Sequence, residues 1–318
     1  MFSRILGTGA YLPQRELGNK ELSLMVDTSD EWIVSRTGIY SRHIAAADEA
    51  TSDLAFHASR QAIDNSRIDP ASIDLVIVAT TTPDLVFPST ACILQDKLGI
   101  HNHGGAFDIQ AVCSGFVYAL SVADSFIHSG MHRTILVVGA EVMSRIVDWT
   151  DRSNCILFGD GAGAMILQAS DEEGIIGCHI HADGRYVAQL CVPAGVSRNP
   201  DINAKLSMEG SSVFRMAVNT LDEIVDETLA ASGMQKSDIN WLVPHQANIR
   251  IIQATAKKLG MSMDQVIVTV GSHGNTSAAS IPMAFHEGVS QGRIKQGDIV
   301  LMEAFGGGFT WGSVLLRR

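Results

Sequence analysis

The chain has 318 residues, 46% of them hydrophobic and 18% charged, with a net charge of −11 at pH 7. That length supports one large or two medium domains with an extensive core, and the acidic balance excludes a nucleic-acid partner gripped over a broad surface. No apolar run is long enough to span a bilayer, the first residues lack the apolar core of a signal peptide, and the five cysteines form no C-x-x-C pair, so a cytoplasmic enzyme or binding protein without a disulfide framework or closed zinc site is expected.

Residues Ile5 to Gly9 read as a short strand entering a turn. Thr28-Ser-Asp-Glu31 is a capping-box pattern, a hydroxyl followed three residues later by Glu, and it opens a helix. Trp32 and Arg36 share a face of that helix, an aromatic plane beside a guanidinium that suits an adenine or a phosphate. Spacing alone equally permits a core Trp and a solvated Arg.

Apolar positions Leu54, Ala55, Ala58 and Ala62 predict a helix over 51–66. Ile73 to Ala79 is a continuous apolar run of strand length, as a doubly covered sheet requires. A helix from Pro88 to Leu98 closes at Gly99, a strand covers Phe107 to Val112, a helix Ser114 to Ser129, and strands begin at Thr134 and Ala162. The stretch from Asp171 to Gly210 is turn-rich and reads as a connection with some hairpin character. Helical spacing returns from Val213 to Ala231.

The second half then retraces the first. Ile239 answers Ile73, Gly260 answers Gly99, Asn275 answers Cys113 and Ile299 answers Ile135, at a nearly constant offset of roughly 160 residues. A strand is expected over Gln265 to Val270, as the counterpart of the one before Cys113. The chain is therefore expected to hold two similar βαβ-type halves, 1–170 and 171–318. In such sheets, residues just past the strand C-termini meet in a crevice, and those positions hold Cys113, His245 and Asn275.

Cys113 sits where a strand gives way to a helix, so free N–H groups and the helix dipole are expected to favour its thiolate. Taken singly, a buried free cysteine, a structural His and an Asn serving a turn are the commoner readings of the three. Glu303-Ala-Phe-Gly-Gly-Gly308 offers backbone N–H groups free of side chains, which suit an oxyanion. Together these parts meet the needs of acyl transfer and carbon–carbon bond formation. A thiolate takes an acyl group, the amides of Cys113 and Gly307 hold the oxyanion, and His245 and Asn275 donate to an enolate formed as CO₂ leaves.

Thr28-Ser-Asp-Glu-Trp-Ile33, Arg36-Thr-Gly-Ile39, Cys113-Ser-Gly-Phe116, Phe158-Gly-Asp-Gly-Ala162, His245-Gln-Ala-Asn-Ile-Arg250, Gly274-Asn-Thr-Ser-Ala278 and Glu303 to Gly308 run nearly end to end. As a set and in this order they resemble 3-oxoacyl-[acyl-carrier-protein] synthase III, a condensing enzyme of the thiolase fold. The resemblance implies an α/β thiolase-like fold, two pseudo-symmetric halves in five α-β-α-β-α layers. It implies that Cys113 is acylated by a primer acyl-CoA and then condenses with malonyl-acyl-carrier protein, with His245 and Asn275 serving decarboxylation. It implies Thr28, Trp32, Arg36, Arg152, Gly210 and Asn248 around coenzyme A, and Phe87, Leu190 and Met208 around the acyl chain.

Carrier-protein docking is implied for Gln246, Ala247, Asn248, Ile249, Arg250, Lys257, Lys258 and Arg215. Arg250, Lys257 and Lys258 also fall on one helical face, a local basic stripe on an acidic protein. A homodimer with Phe87 near the partner's pocket is implied, with no metal and no cofactor beyond the acyl-CoA substrate. Gly271 and Ser272 are smaller than the residues that family has there. A related thiolase-fold synthase of secondary-metabolite ketides fits the same three residues, and a non-catalytic acyl-CoA-binding scaffold fits the fold.

Overall fold

The computed structural model describes residues 1–201 and 203–318. Its strands are β1 (Phe2–Tyr11), β2 (Arg15–Gly18), β3 (Ser41–Ile44), β4 (Leu75–Ala79), β5 (Gly105–Ile109), β6 (Thr134–Glu141), β7 (Gly161–Ser170), β8 (Ile175–Ala182), β9 (Leu190–Cys191), β10 (Ser207–Met208), β11 (Trp241–Pro244), β12 (Ile299–Gly306) and β13 (Thr310–Arg317). The helices are α1 (Asn19–Leu22), α2 (Asp30–Thr37), α3 (Thr51–Ser66), α4 (Thr90–Lys97), α5 (Gly115–His128), α6 (Gly210–Ser232), α7 (Ile249–Leu259), α8 (Val270–His273) and α9 (Ser280–Ser290). None of them is long and apolar enough to cross a membrane, among the described residues.

Two sheets repeat one plan. The first has strand order β1-β7-β6-β4-β5 and the second β8-β13-β12-β11, with parallel pairing at β4–β6 and β11–β12 and antiparallel pairing elsewhere except β4–β5. Alternation along the strands sorts side chains into layers. Leu75, Ile77, Ile135 and Val137 face a central apolar layer with α5 and α9, shared with Val300, Met302 and Val314 of the second sheet. Val76, Val78, Leu136 and Val138 face outward against Leu54, Ala58 and Ala62 of α3. Leu301 and Leu315 face the opposite outer layer, with Val225 and Leu229 of α6 and Ile252 and Ala256 of α7. The result is helix, sheet, helix, sheet, helix: five layers, as the resemblance implied.

Several local expectations change. β1 runs unbroken for ten residues through Gly9, where a Cβ would lie 2.1 Å from the Ala58 carbonyl oxygen. That glycine marks close packing of α3 on the strand rather than a turn. The cap of α2 is Ser29, whose Oγ accepts from the Trp32 amide, one residue beyond the Thr28 of the sequence pattern. The turn-rich stretch after Asp171 contains β8, an edge strand of the second sheet, and the short β9–β10 hairpin. The expected strand over Gln265 to Val270 shrinks to one bridge, Leu242 to Val266. There the amides of Thr269 and Val270 bond instead to Oε1 of the Gln246 side chain, at 2.8 and 3.1 Å. At Gly271 a Cβ would stand 3.2 Å from the Tyr40 ring, which occupies the space a larger residue would need.

Candidate active site

β5 delivers the chain to a tight turn, Val112–Ser114, directly ahead of α5. Val112 has φ +48°, a conformation that costs a β-branched residue energy and is found where surrounding structure enforces it. Cys113, one residue on, is buried. Gly306, the last residue of β12, abuts it: a Cβ there would lie 2.8 Å from the Cys113 backbone nitrogen. Glycine thus keeps the space beside the Cys113 amide clear, with Gly307 following immediately.

From the second half, His245 follows β11, with its amide bonded to the Glu303 carbonyl at 2.8 Å. Its Nδ1 lies 2.6 Å from Ser280 Oγ at the start of α9. Ser280 Oγ also accepts from the Gln246 amide at 3.3 Å; when the Ser280 hydroxyl donates to Nδ1, the imidazole carries its hydrogen on Nε2. Asn275 is held by both backbone groups, to Leu157 and Gly159, and its Oδ1 accepts from the Ser277 amide at 2.9 Å. With the oxygen committed, the Nδ2 donor is the free end of the side chain.

Cys113, His245 and Asn275 line one cavity of about 730 Å³. Phe305, Leu157, Leu190 and Met208 line the same space. Trp32, Arg36, Gly210, Arg215, Asn248 and Arg250 line it as well. Arg36 and Arg152 both stack on the Trp32 ring, at 4.6 and 5.2 Å from its centroid. Two guanidiniums thus lie within cation–π range of one indole, and Arg152 is anchored on the Asp27 carbonyl at 2.9 Å.

Two expectations are corrected here. Burial pushes the Cys113 thiol up to about 12, outweighing the helix terminus that was expected to favour thiolate. Burial likewise pulls His245 down to about 4, so the imidazole is neutral. Gln246 is fully buried and is not available for docking. Its amide nitrogen donates to the Pro244 and Ile267 carbonyls while its oxygen serves Thr269 and Val270.

The remaining assignments are scattered. Thr28 Oγ1 is buried without a hydrogen-bond partner. Phe87 is 84% exposed and lies outside this chain's own cavity lining. Ala247 lines the cavity, Ile249 begins α7 and Lys257 and Lys258 are exposed along it. Sequence reasoning missed Ser277, Ser280 and Glu141. Ser277 and Ser280 sit in a run of small residues with no distinguishing spacing. Glu141 did carry a signal: an acid directly after the apolar run Ile135–Ala140 of a doubly covered sheet is buried and needs partners.

The model of 3-Oxoacyl-[acyl-carrier-protein (ACP)] synthase III matches residues 107–184, and that of its C-terminal part matches residues 229–318. The chain is 66% identical over 316 residues to the beta-ketoacyl-[acyl-carrier-protein] synthase III of Thiobacillus denitrificans, covering 99% of each. Among solved structures it is similar to 3-oxoacyl-[acyl-carrier-protein] synthase III from Aquifex aeolicus, at TM-score 0.94 and 45% identity over 99% of this chain and 100% of that one. The priming beta-ketosynthase of the R1128 polyketide pathway is similar at TM-score 0.93 and 39% identity, over 99% and 96%. The chain belongs to the 3-oxoacyl-[acyl-carrier-protein] synthase III family.

Proposed function

We propose that the protein starts fatty-acid synthesis by joining a primer acyl group, carried from coenzyme A on Cys113, to a malonyl group held by an acyl-carrier protein. The Cys113 sulfur attacks the primer thioester, and the amides of Cys113 and Gly307 hold the oxyanion as the coenzyme A thiolate leaves. The malonyl carboxylate then departs as CO₂. His245 through Nε2–H and Asn275 through Nδ2–H stabilise the enolate, whose carbon attacks the acyl-Cys113 carbonyl and releases 3-oxoacyl-carrier protein. A neutral imidazole is the right donor here, because it stays unchanged over the whole physiological range. No cofactor is needed, since thioester activation and loss of CO₂ supply the driving force.

The observation that carries this reading is the single cavity lined by thiol, imidazole and carboxamide together with Trp32 and Arg36. The arginines stacked on Trp32 suit the adenine and phosphates of coenzyme A, with Gly210 and Asn248 in the same cavity lining and Thr28 assigned to the same ligand. Leu190 and Met208 suit the acyl chain. The exposed face of α7 and Arg215 suit an acidic carrier protein. The exposed Leu85, Val86 and Phe87 support a homodimer in which Phe87 meets the partner's acyl pocket. A cytoplasmic location fits these substrates.

The likeness to a polyketide priming synthase favours a second reading, a starter synthase for ketides. Acyl labelling and carrier dependence separate the readings. Acetyl-CoA is expected to add one acetyl group to Cys113 by mass spectrometry, with none in Cys113→Ala. Malonyl-acyl-carrier protein, and not malonyl-CoA, is expected to discharge it to product. Discharge by malonyl-CoA alone supports the ketide reading, and an unlabelled Cys113 removes both.

A further inference from the structure

Arg42, on β3, is a fully buried guanidinium. Its hydrogen-bond acceptors are all neutral. Nη1 donates to the Leu17 carbonyl at 3.1 Å and to Asn19 Oδ1 at 2.8 Å, and Nη2 donates to the Ile156 carbonyl at 2.7 Å. Burial lowers Arg42 only to about 10, so the group keeps its charge at neutral pH. A buried cation held by neutral acceptors carries a desolvation cost that an apolar side chain of similar volume avoids. What an apolar side chain or a lysine lacks is a planar fork that reaches acceptors on separate segments at once.

Those segments border the candidate active site. The first is α2. Asn19 turns its oxygen to Arg42 and its Nδ2 to Asp30 Oδ1, at 2.8 Å, and to the Ile39 carbonyl, at 2.7 Å. Asp30 is the first residue of α2 and Ile39 lies just past its end, so one carboxamide grips both ends of the helix. That carboxamide also stands between a cation and an anion, and each of its bonds polarises the other. Trp32 and Arg36, which line the cavity, ride on the helix so held.

The second segment is the cavity wall at Ile156, Leu157 and Phe158. One residue beyond the carbonyl that Arg42 holds, the Leu157 carbonyl accepts from the Asn275 amide at 2.8 Å. The Gly159 amide donates back to the Asn275 carbonyl at 3.0 Å. The stem of Arg42 packs against the same turn: a Cβ at Gly159 or at Gly274 would lie 2.9 or 3.0 Å from Arg42 Cβ. Neighbours of Arg42 in the chain fasten these stretches too. The Tyr40 amide donates to the Gly271 carbonyl at 2.7 Å, and the Asp160 amide donates to the His43 carbonyl at 2.9 Å.

We propose that Arg42 is a positioning residue that sets the helix bearing Trp32 and Arg36 and the backbone bearing Asn275 on one frame. A thioester that enters past Trp32 and Arg36 then reaches the Asn275 donor in a fixed register. Arg42 touches no substrate. It acts through Asn19 and Asp30 on one branch and through Ile156 on the other. The inference rests on the roles proposed above for α2 and Asn275. Its two branches call for unlike losses: cutting the first loosens coenzyme A, and removing the fork loosens coenzyme A and the donor together.

Two measurements on the full chain read the branches separately. Calorimetric titration with coenzyme A reads the first. Single-turnover condensation, from preformed acetyl-Cys113 with saturating malonyl-acyl-carrier protein, reads the second. Asp30→Ala leaves every bond of Arg42 in place, and it is expected to weaken coenzyme A by about three- to tenfold while condensation changes less than about twofold. Arg42→Lys keeps the charge and loses the fork; it is expected to weaken coenzyme A at least as much and to slow condensation by about tenfold or more. Both are taken per folded molecule, with the folded fraction read by urea unfolding, so lost stability alone moves neither. Unchanged coenzyme A binding in Asp30→Ala overturns the proposal, as does condensation slowed in that variant as much as binding is weakened. Folded Arg42→Lys with both values intact overturns it as well. Coenzyme A that fails to bind the unsubstituted protein removes the functional reading instead, a result distinct from equal binding by all three proteins.

Discussion

The two halves share a strand plan and differ at one position. In the first, β5 pairs with β4 along five residues and hands the chain directly to Cys113. In the second, the corresponding stretch keeps one bridge, and the buried Gln246 side chain takes over its backbone hydrogen bonds. The nucleophile therefore sits on a continuous strand, turn and helix, whereas the donors His245 and Asn275 sit on loops braced by side chains. Duplication of a fold thus yields unlike parts: one half fixes a reacting atom, and the other presents two donors from a segment released from the ladder.

The contrast breaks most sharply at the donors. His245→Ala and Asn275→Ala are expected to lower condensation by about 10²–10³-fold, as loss of one donor to a developing anion does elsewhere. The acetyl adduct on Cys113 is expected to form normally in both. Adduct formation slowed as much as condensation would mean that the second half also builds the nucleophile, and the division between the halves would fail.

Gln246→Ala removes the side chain that replaces a strand. It leaves the Thr269 and Val270 amides and the Pro244 and Ile267 carbonyls without their bonds. A loss of about 3 kcal/mol in urea unfolding is expected, because buried groups stripped of partners retain their full desolvation cost. Unchanged stability with a raised KM for carrier protein would return Gln246 to a docking surface.

This residue also shows what a sequence conceals. Gln246 lies between His245 and a helix start, where exposure was the natural expectation; only the tertiary course of residues 265–270 explains its burial. The strand expected there has the right residues, Val266, Ile267 and Val268, and loses its ladder to a side chain. The thiol of Cys113 tells the same story, since its local position favours thiolate and only the closed cavity reverses that. By contrast α3 spans the expected 51–66, because its apolar spacing is local information. β4 and β6 were legible as continuous apolar runs. The duplication was legible too, through landmarks in register, and it led from three separate polar residues to one crevice.

The buried acids sharpen the contrast. Glu141, in the first half, receives five hydrogen bonds, whereas the carboxyl of Glu303, in the second, has the Thr255 side chain alone to oppose its burial. Burial holds Glu303 up at about 8, above its ordinary 4.5. Between those values the folded chain keeps a proton that the unfolded chain has lost. The stabilisation is complete below about 4.5 and is lost as pH rises to about 8. Glu303→Gln is therefore expected to lose about 2 kcal/mol less than the unsubstituted protein between pH 6 and 8 in urea unfolding. Parallel losses in the two proteins would mean that Glu303 ionises alike in both states.

The smallest effect is expected at the outer face of the second half. On α7, Arg250 lines the cavity and lies 5.5 Å from the Phe214 ring, and Lys258 pairs with Asp222 at 2.7 Å. Lys257 is exposed and, among the described residues, makes no ion pair. Its charge is free for an incoming acidic surface whereas that of Lys258 is paired, so Lys257→Ala should raise the carrier-protein KM more than Lys258→Ala. A rise of about three- to fivefold is the scale of an exposed ion pair and should shrink with added salt. Labelling of Cys113 by acetyl-CoA should not change, because Lys257 stands apart from the cavity lining. Equal KM values for both variants, or an effect indifferent to salt, would show that docking does not read the charge of this helix.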